Sequence, residues 1–285
     1  MLKSFGLIDN IWLDPQIKFP FRIGEQYIFR KLYEGRFEYQ KLLKEWELSN
    51  NHSTGRYPYI IEVKTEHERK YYNAIFSSVR TITSLLRLIR YNRIYFAYIV
   101  CFENKRVIQS GSWDDPRPSS FFGKDEEISR RDIRILGKII ANIKQTMTGV
   151  NERVVRAFHF WDSSSCSGTF ERKAVELFIS LESLFTTGSE EVTFRLASRM
   201  AWFLENKDAD KRLALYKKIK KGYSIRSNIV HGKTFVENKD LPMVQELHAL
   251  TRDVLLRIFT DKKLLSVFSQ DDIEPYFNEL VMGKA

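Results

Sequence analysis

Residues Asp114–Met147 read DDPRPSSFFGKDEEISRRDIRILGKIIANIKQTM, and two kinds of chain meet there. Asp114–Lys124 carries two prolines, two serines and a glycine. Such residues punctuate regular structure, so this segment is taken as the domain boundary. Beyond it, Ile133, Leu136, Ile139, Ile140 and Ile143 fall on one side of a helix over Ile128–Met147. The helical pattern then persists. Val154–Trp161 reads as a shorter helix, and Asp162–Gly168 as a Ser-rich break. Thr169 can cap the next helix, which runs to about Phe185 and carries Val175, Phe178, Ile179, Leu181 and Leu184. Further helices are expected over Glu190–Leu204, Asp208–Val230 and Leu241–Phe259, the last entered by Asp240 with Pro242 in its first turn. A short tail helix follows Asp271. Several helices joined by short links predict a bundle.

Upstream the pattern is mixed. Tyr59–Val63 (YIIEV) is β-branched and aromatic, and predicts a strand. Ile94–Phe102 (IYFAYIVCF) is continuously apolar, as a buried strand is. Asn104-Lys105 is a turn signal, with Arg106–Trp113 as the hairpin partner. His67–Arg90 reads as a helix, with Ala74, Ile75, Val79, Ile82, Leu85, Leu86 and Ile89 at helical spacing. Phe37–Leu48 also reads as a helix, and Phe21–Leu32 fits either state. The expected fold class is α+β: a mixed α/β domain over residues 1–120, then an all-α domain over residues 125–285.

Composition narrows the function. A length of 285 residues allows one large or two small domains. The formal net charge of +10 favours a polyanionic partner: RNA, DNA or an anionic surface. Cys101 and Cys166 form neither a metal-spaced cluster nor a disulfide framework, which fits a reduced, cytoplasmic setting. Met1–Asn10 has no long apolar core of a signal peptide, and no apolar run is long enough to span a bilayer. No membrane partner and no cofactor are expected.

The stretch richest in chemistry is Tyr223–Lys233, YSIRSNIVHGK. It closes a basic helix crowded by Lys211, Arg212, Lys217, Lys218, Lys220, Lys221 and Arg226, a run suited to a phosphate backbone. Cleaving RNA without a metal means taking a proton from a 2′-hydroxyl and giving one to the leaving 5′-oxygen. Histidine as a residue type titrates near neutrality and can do either, which makes His231 the candidate. An arginine fork such as Arg226 stabilises charge on the phosphorane. Ser227 and Asn228 can orient the phosphate or the imidazole. Two proton-transfer groups work better than one, which motivates a symmetric dimer with two copies of His231 in one cleft. A plainer reading stands beside this. His-Gly at a helix end is a common C-cap arrangement, and Arg226 is then a solvated or salt-bridged residue. Five-residue spacing also sets the two side chains roughly 140° apart on an ideal helix.

Other motifs offer less. Glu62 and Lys64 form the E-x-K of a metal-dependent nuclease strand, but Asp14, the upstream carboxylate, lies far back. Asp114 and Asp115 read as a solvated turn, and His52, His67 and His159 are isolated. His248 sits on an apolar helix as a packed histidine would, and Cys166 has no base nearby in sequence. No metal site is expected. Tyr27, Phe29, Tyr33, Phe37, Tyr39 and Trp46 interleave with Arg30, Lys31, Arg36, Lys41 and Lys44. That mixture is either a base-stacking surface or core with snorkelling cations.

The C-terminal half resembles the ApeA-like HEPN family, marked by R-x(4–6)-H near a helix end, commonly within R-S-x-x-V-H-G. Here Arg226–Gly232 reads RSNIVHG. AVELFISLESLF (Ala174–Phe185) is similar to the family's helix ending in small-Leu-Glu-x-Leu, and FRLASRMAWFL (Phe194–Leu204) to its R-L-A-x-R-x-A helix. The likeness covers roughly Ser129–Ile258. It implies a helical bundle, homodimerisation and metal-independent endoribonuclease activity. Relatives act as toxins or in antiviral defence, so an antitoxin or a phage-derived trigger is an implied partner; some have no demonstrated nuclease activity. By position, Arg226 and His231 are the implied catalytic pair, with Asn228 as polar helper; the basic run itself, not the resemblance, makes Lys217, Lys220, Lys221 and Lys233 the candidate RNA-binding cations. Glu182 and Arg199 lie in matching helices, where a Glu182–Arg226 pair can steady the cleft or both can be buried structural residues.

Overall fold

A computed structural model describes residues 2–9, 11–25, 27–31, 40–42, 44, 59–65, 72–103, 106–112, 118, 125–146 and 152–284. The fold is α+β: an antiparallel sheet first, then a helical region. The chain divides into two compact units, Met1–Ala141 and Asn142–Ala285. The division falls inside a helix. The segment 114–124, read as the boundary, lies outside the described residues save Pro118.

The first unit is built on a six-stranded sheet of order β2-β3-β4-β1-β5-β6. Its strands are β1 (Leu2–Asp9), β2 (Phe21–Ile23), β3 (Tyr27–Lys31), β4 (Tyr59–Thr65), β5 (Tyr95–Glu103) and β6 (Arg106–Ser112), and every neighbouring pair is antiparallel. Phe21–Leu32, open to either reading, therefore supplies two short strands. Side chains alternate across the pleat. Phe5, Leu7, Ile60, Tyr98, Val100 and Phe102 join Leu42 in one buried cluster. Helix α1 (Tyr72–Ile89) packs on β4 and β5. A Cβ at Gly6 would meet Val79 Cγ1 at 2.8 Å, so the bare backbone of β1 is what lets α1 lie so close. The turn at Asn104-Lys105, residues 67–71 and most of Phe37–Leu48 lie outside the described residues; residues 40–42 and 44 of the last are helical. Helix α2 (Arg130–Thr146) follows a parallel bridge between Leu13 and Ile128.

The second unit is a helical bundle. It comprises α3 (Glu152–Cys166), α4 (Phe170–Phe185), α5 (Val192–Leu204), α6 (Ala209–Val230), α7 (Glu237–Thr260), α8 (Lys262–Phe268) and α9 (Glu274–Val281). Helix α4 touches α3, α5, α6 and α7, and buries Ala174, Leu177, Phe178, Ser180, Leu181, Leu184 and Phe185. Thr169 caps it, accepting from the Arg172 N–H. Phe185, Phe203, Phe268 and Phe277 meet around its end at ring separations of 5.5–6.1 Å.

Three expectations need correction. Asp162–Cys166 is not a break but the last turn of α3. Ser164 Oγ and Ser165 Oγ donate to the Trp161 carbonyl at 2.6 and 3.5 Å, so these two serines find an acceptor on their own helix and are buried there. Helix α7 begins at Glu237, not Leu241, leaving Pro242 inside it. Asp240 Oδ2 accepts the Val236 N–H at 2.9 Å and starts the helix one turn earlier. Helix α8 was not anticipated; Asp261 caps it through the N–H groups of Lys263 and Leu264.

Gly222 sits where α6 crosses α4 and α7. A Cβ there would collide with Leu247 Cδ1 and press Phe178 Cζ at 3.2 Å. Alanine is the better helix former by about 1 kcal/mol, yet overpacking costs about 1–3 kcal/mol. Gly222→Ala is therefore expected to lower the urea midpoint of unfolding. A raised midpoint would show that the helices have room to separate.

Candidate functional site

Helix α6 begins at Asp208, whose carboxylate accepts the N–H groups of Asp210 and Lys211, both at 3.0 Å. Its buried side is narrow: Ile219, Gly222 and Ile225. Some of its cations are committed to structure. Lys211 pairs with Asp208 at 3.2 Å and Lys218 with Glu246. Arg212 lies 3.6 Å from the centre of the Trp202 ring and donates to the carbonyls of Glu205 and Asn206. Others face outward. Lys217, Lys220, Lys221, Ser224 and Asn228 are all exposed and recur at three- and four-residue spacing. They fall within an arc of roughly 100° on the helix. His231 continues the row, about 21 Å beyond Lys217 at 1.5 Å per residue.

The backbone sets the position of His231. Its N–H donates to the Ser227 carbonyl at 3.0 Å, and its φ of −87° and ψ of 18° end the helix. Gly232 follows at φ +75°. Its N–H reaches the Ile229 carbonyl at 3.0 Å while the Lys233 N–H reaches the Asn228 carbonyl at 2.8 Å. These two bonds form a Schellman closure, which needs a left-handed residue and hence glycine. His231 and Lys233 are both exposed. The C-cap reading of His-Gly is thus right about the backbone, and it leaves the imidazole open to a ligand.

Arg226 leaves the helix on the other side. It is half-buried, and its Nη2 lies 3.6 Å from Glu182 Oε1 of α4. Its guanidinium sits 5.6 Å from the centre of the Tyr223 ring, which meets Phe178 edge-on at 5.5 Å. Burial raises the Tyr223 phenol above its ordinary value, and the charge and hydrogen bond of Glu182 raise it further, while Arg226 opposes them. Glu182 Oε1 and Arg226 Nε are buried with no hydrogen-bond partner. Among the described residues, no hydrogen bond or ion pair joins Arg226 to His231. The expected Glu182–Arg226 pair therefore forms, while the expected catalytic pair is split between two faces of α6. Tyr223 has no role in the sequence reading, although its i, i+3 spacing from Arg226 is a signal that could have found it.

Glu62 accepts from Arg30 Nε at 2.7 Å with both side chains largely buried, which occupies the E-x-K carboxylate. Among the described residues, no group of three or more His, Cys, Asp or Glu is placed to hold a metal ion. Tyr27 and Phe29 are core residues, and Tyr33, Phe37, Tyr39 and Trp46 lie outside the described residues, as do His52, His67, Asp114 and Asp115. Arg199 is buried, donating to the Phe185 carbonyl at 2.9 Å and to Glu274. Cys166 is half-buried and His159 exposed. No helix among the described residues is long and apolar enough to cross a membrane.

Comparison with known proteins gives nothing further: no family model, no curated protein and no solved structure matches this chain.

His248 is the packed histidine its helix suggests. It is buried, 3.0 Å from Ser165 Oγ and stacked on Trp161. Burial, helped by the charges of Arg252 and Lys173, pushes its pKa from 6.5 to about 3. The unfolded chain thus takes up a proton below pH 6.5 that the folded chain refuses. Its contribution to stability is complete above pH 6.5 and is lost as the pH falls toward 3, by up to about 1.4 kcal/mol per pH unit. Urea unfolding between pH 6.5 and 4 should show a shallower loss of stability in His248→Gln than in the wild type. Identical slopes would remove His248 as the cause.

Proposed function

We propose that this chain is a metal-independent endoribonuclease of HEPN type that works as a homodimer, in the manner of a toxin or antiviral effector. The observation that carries the reading is the exposed row Lys217–Lys220–Lys221–Asn228–His231. It sets a proton-transferring group at the end of a cationic track. The lysines and Lys233 hold the phosphate backbone. His231 takes the 2′-hydroxyl proton or supplies one to the leaving 5′-oxygen, and Asn228 orients the phosphate. The divergence of Arg226 from His231 within one chain gives a second copy a chemical role: a two-fold axis brings another His231, and another Arg226, to the scissile phosphate. Arg226 would then stabilise the phosphorane charge, with Glu182 and Tyr223 holding the guanidinium in a fixed orientation.

A second reading is a non-catalytic RNA-binding module. The engagement of Arg226 with Glu182, away from His231, favours it. The two readings part on turnover. In EDTA, the wild type should cleave labelled RNA to 2′,3′-cyclic phosphate ends, and His231→Ala should lose about 10²–10⁴-fold in rate. Binding without cleavage by either protein would leave the module. Under both readings, each of Lys217→Ala, Lys220→Ala and Lys221→Ala should reduce the slope of log affinity against log salt by about 0.7 for single-stranded RNA. An unchanged slope would place the RNA on a different face.

A further inference from the structure

The exposed face of α6 continues upstream of its lysines. Leu213 lies one turn before Lys217 and is 50% exposed. Tyr216, half-buried, is its i, i+3 neighbour. Helix α5, which packs on α6, presents Phe194 to the same tyrosine. The two ring centroids are 6.3 Å apart with the planes at 75°, and Phe194 remains 55% exposed. Yet α5 buries Leu196, Ala197, Met200 and Phe203 in the bundle. A lone apolar residue at a surface is ordinary, whereas a cluster with a phenylalanine more than half in water marks a place where something binds.

Charge decides what that is. Lys220 Nζ sits 5.5 Å from the centre of the Tyr216 ring, and Lys217 and Lys221 are exposed beside it. The apolar patch therefore borders the first cations of the row that ends at His231. A second copy docked two-fold on this patch would bring the same lysines against these, which like charge opposes. A single-stranded polyanion matches both parts: its phosphates suit the lysines, and the flat face of a base suits the ring. Glu190 and Glu191, exposed at the start of α5, lie one turn before Phe194. They repel a phosphate, so the backbone of the strand is confined to the lysine side and an uncharged base is what fits over Phe194.

We propose that Phe194 and Tyr216 form a base-stacking subsite for single-stranded RNA, with Lys217 and Lys220 holding the adjoining phosphates. This rests on the RNA-binding part of the reading above, and not on cleavage. Tyr216 lies about 22 Å from His231 along the helix at 1.5 Å per residue. The stacked base therefore belongs to a nucleotide remote from the scissile phosphate, and the subsite anchors the far end of the strand. Stacking accepts any base, because every base has a π-face. The larger faces of purines favour them.

The test is titration of the full chain with labelled oligoadenylate across a range of salt, for the wild type, Phe194→Ala, Phe194→Trp and Lys217→Ala. Phe194→Ala should weaken binding by about tenfold and leave the slope of log affinity against log salt unchanged, since no charge is lost. Phe194→Trp should bind at least as tightly as the wild type. Because the side chain is exposed, the urea midpoint should not move. An abasic strand of the same length should bind wild type and Phe194→Ala alike. Weakening by Lys217→Ala but not by Phe194→Ala would overturn the subsite and leave the cationic track standing. So would a changed salt slope in Phe194→Ala, or equal weakening of the abasic strand, which would give Phe194 an electrostatic or structural role. Unaltered RNA binding with a shifted sedimentation coefficient would make the patch a protein interface and overturn the subsite too. Stacking-dependent binding without cleavage would sink the ribonuclease and keep the subsite. No RNA binding by the wild type would end both.

Discussion

Helix α4 has to satisfy four neighbours at once, and the arrangement of the second unit follows from how it does so. Its buried apolar residues form one stripe, within an arc of roughly 120°. Ala174, Leu177, Phe178, Leu181, Leu184 and Phe185 point into contacts with α3, α5, α6 and α7 together. Lys173 and Glu176 are buried beside that stripe, and Glu182, near the end of the helix, is half-buried between two neighbouring helices. On one side lie Arg226 and Tyr223 of α6, on the other a cavity of about 430 Å³ lined also by Arg153 and Arg156 of α3. Gly222 completes the constraint. Without a side chain at that crossing, α6 comes near enough for Phe178 to meet Tyr223, and the Arg226 guanidinium lands at the carboxylate. The half-buried pair is thus a product of packing before it is a device of chemistry.

The polar residues inside this unit show how far hydrogen bonding can stand in for an apolar core. Ser164, Ser165, Ser180 and Thr251 are all buried, and each has a partner on a backbone carbonyl or on His248. Lys173 is buried as well, donating to the Ser164 carbonyl at 3.4 Å, and burial lowers its ammonium below the usual lysine range. A polar group in such a place costs little while its partner is present and several kcal/mol at most when it is lost. These groups lie away from the exposed face of α6. Their chemistry is spent on holding the bundle in register.

Much of this was legible from residue patterns. Strand β4 and the α4, α5 and α6 helices lie where alternation, periodicity and capping residues place them, because each of those signals is local. Thr169 and Asp208 announce their helices through a side-chain oxygen one turn from an unpaired N–H. The Ser-rich end of α3 was misread for a reason equally local. Serine favours turns in general, but here its hydroxyls find carbonyls on the helix itself. Pro242 was read as a first-turn residue, whereas the Asp240 carboxylate moves the helix start upstream. In the candidate site, the five-residue spacing already implied that Arg226 and His231 diverge, and the Glu182–Arg226 pair was foreseeable from the two helices. The cavity was not. A space of about 430 Å³ lined by Arg153 and Arg156 of α3 and Glu182 of α4 lies between two helices, and no spacing within either one encodes that.

The closure of α6 at Gly232 links two positions that differ in every chemical respect. Position 231 carries an imidazole and position 232 no side chain at all, yet the placement of the first relies on the left-handed turn of the second. A lineage can therefore keep its histidine and still lose the placement of the ring, through a single change at a residue with no side chain of its own. Selection on the imidazole would be felt one residue downstream. The pair would be inherited as one unit, a backbone hinge and the group it carries.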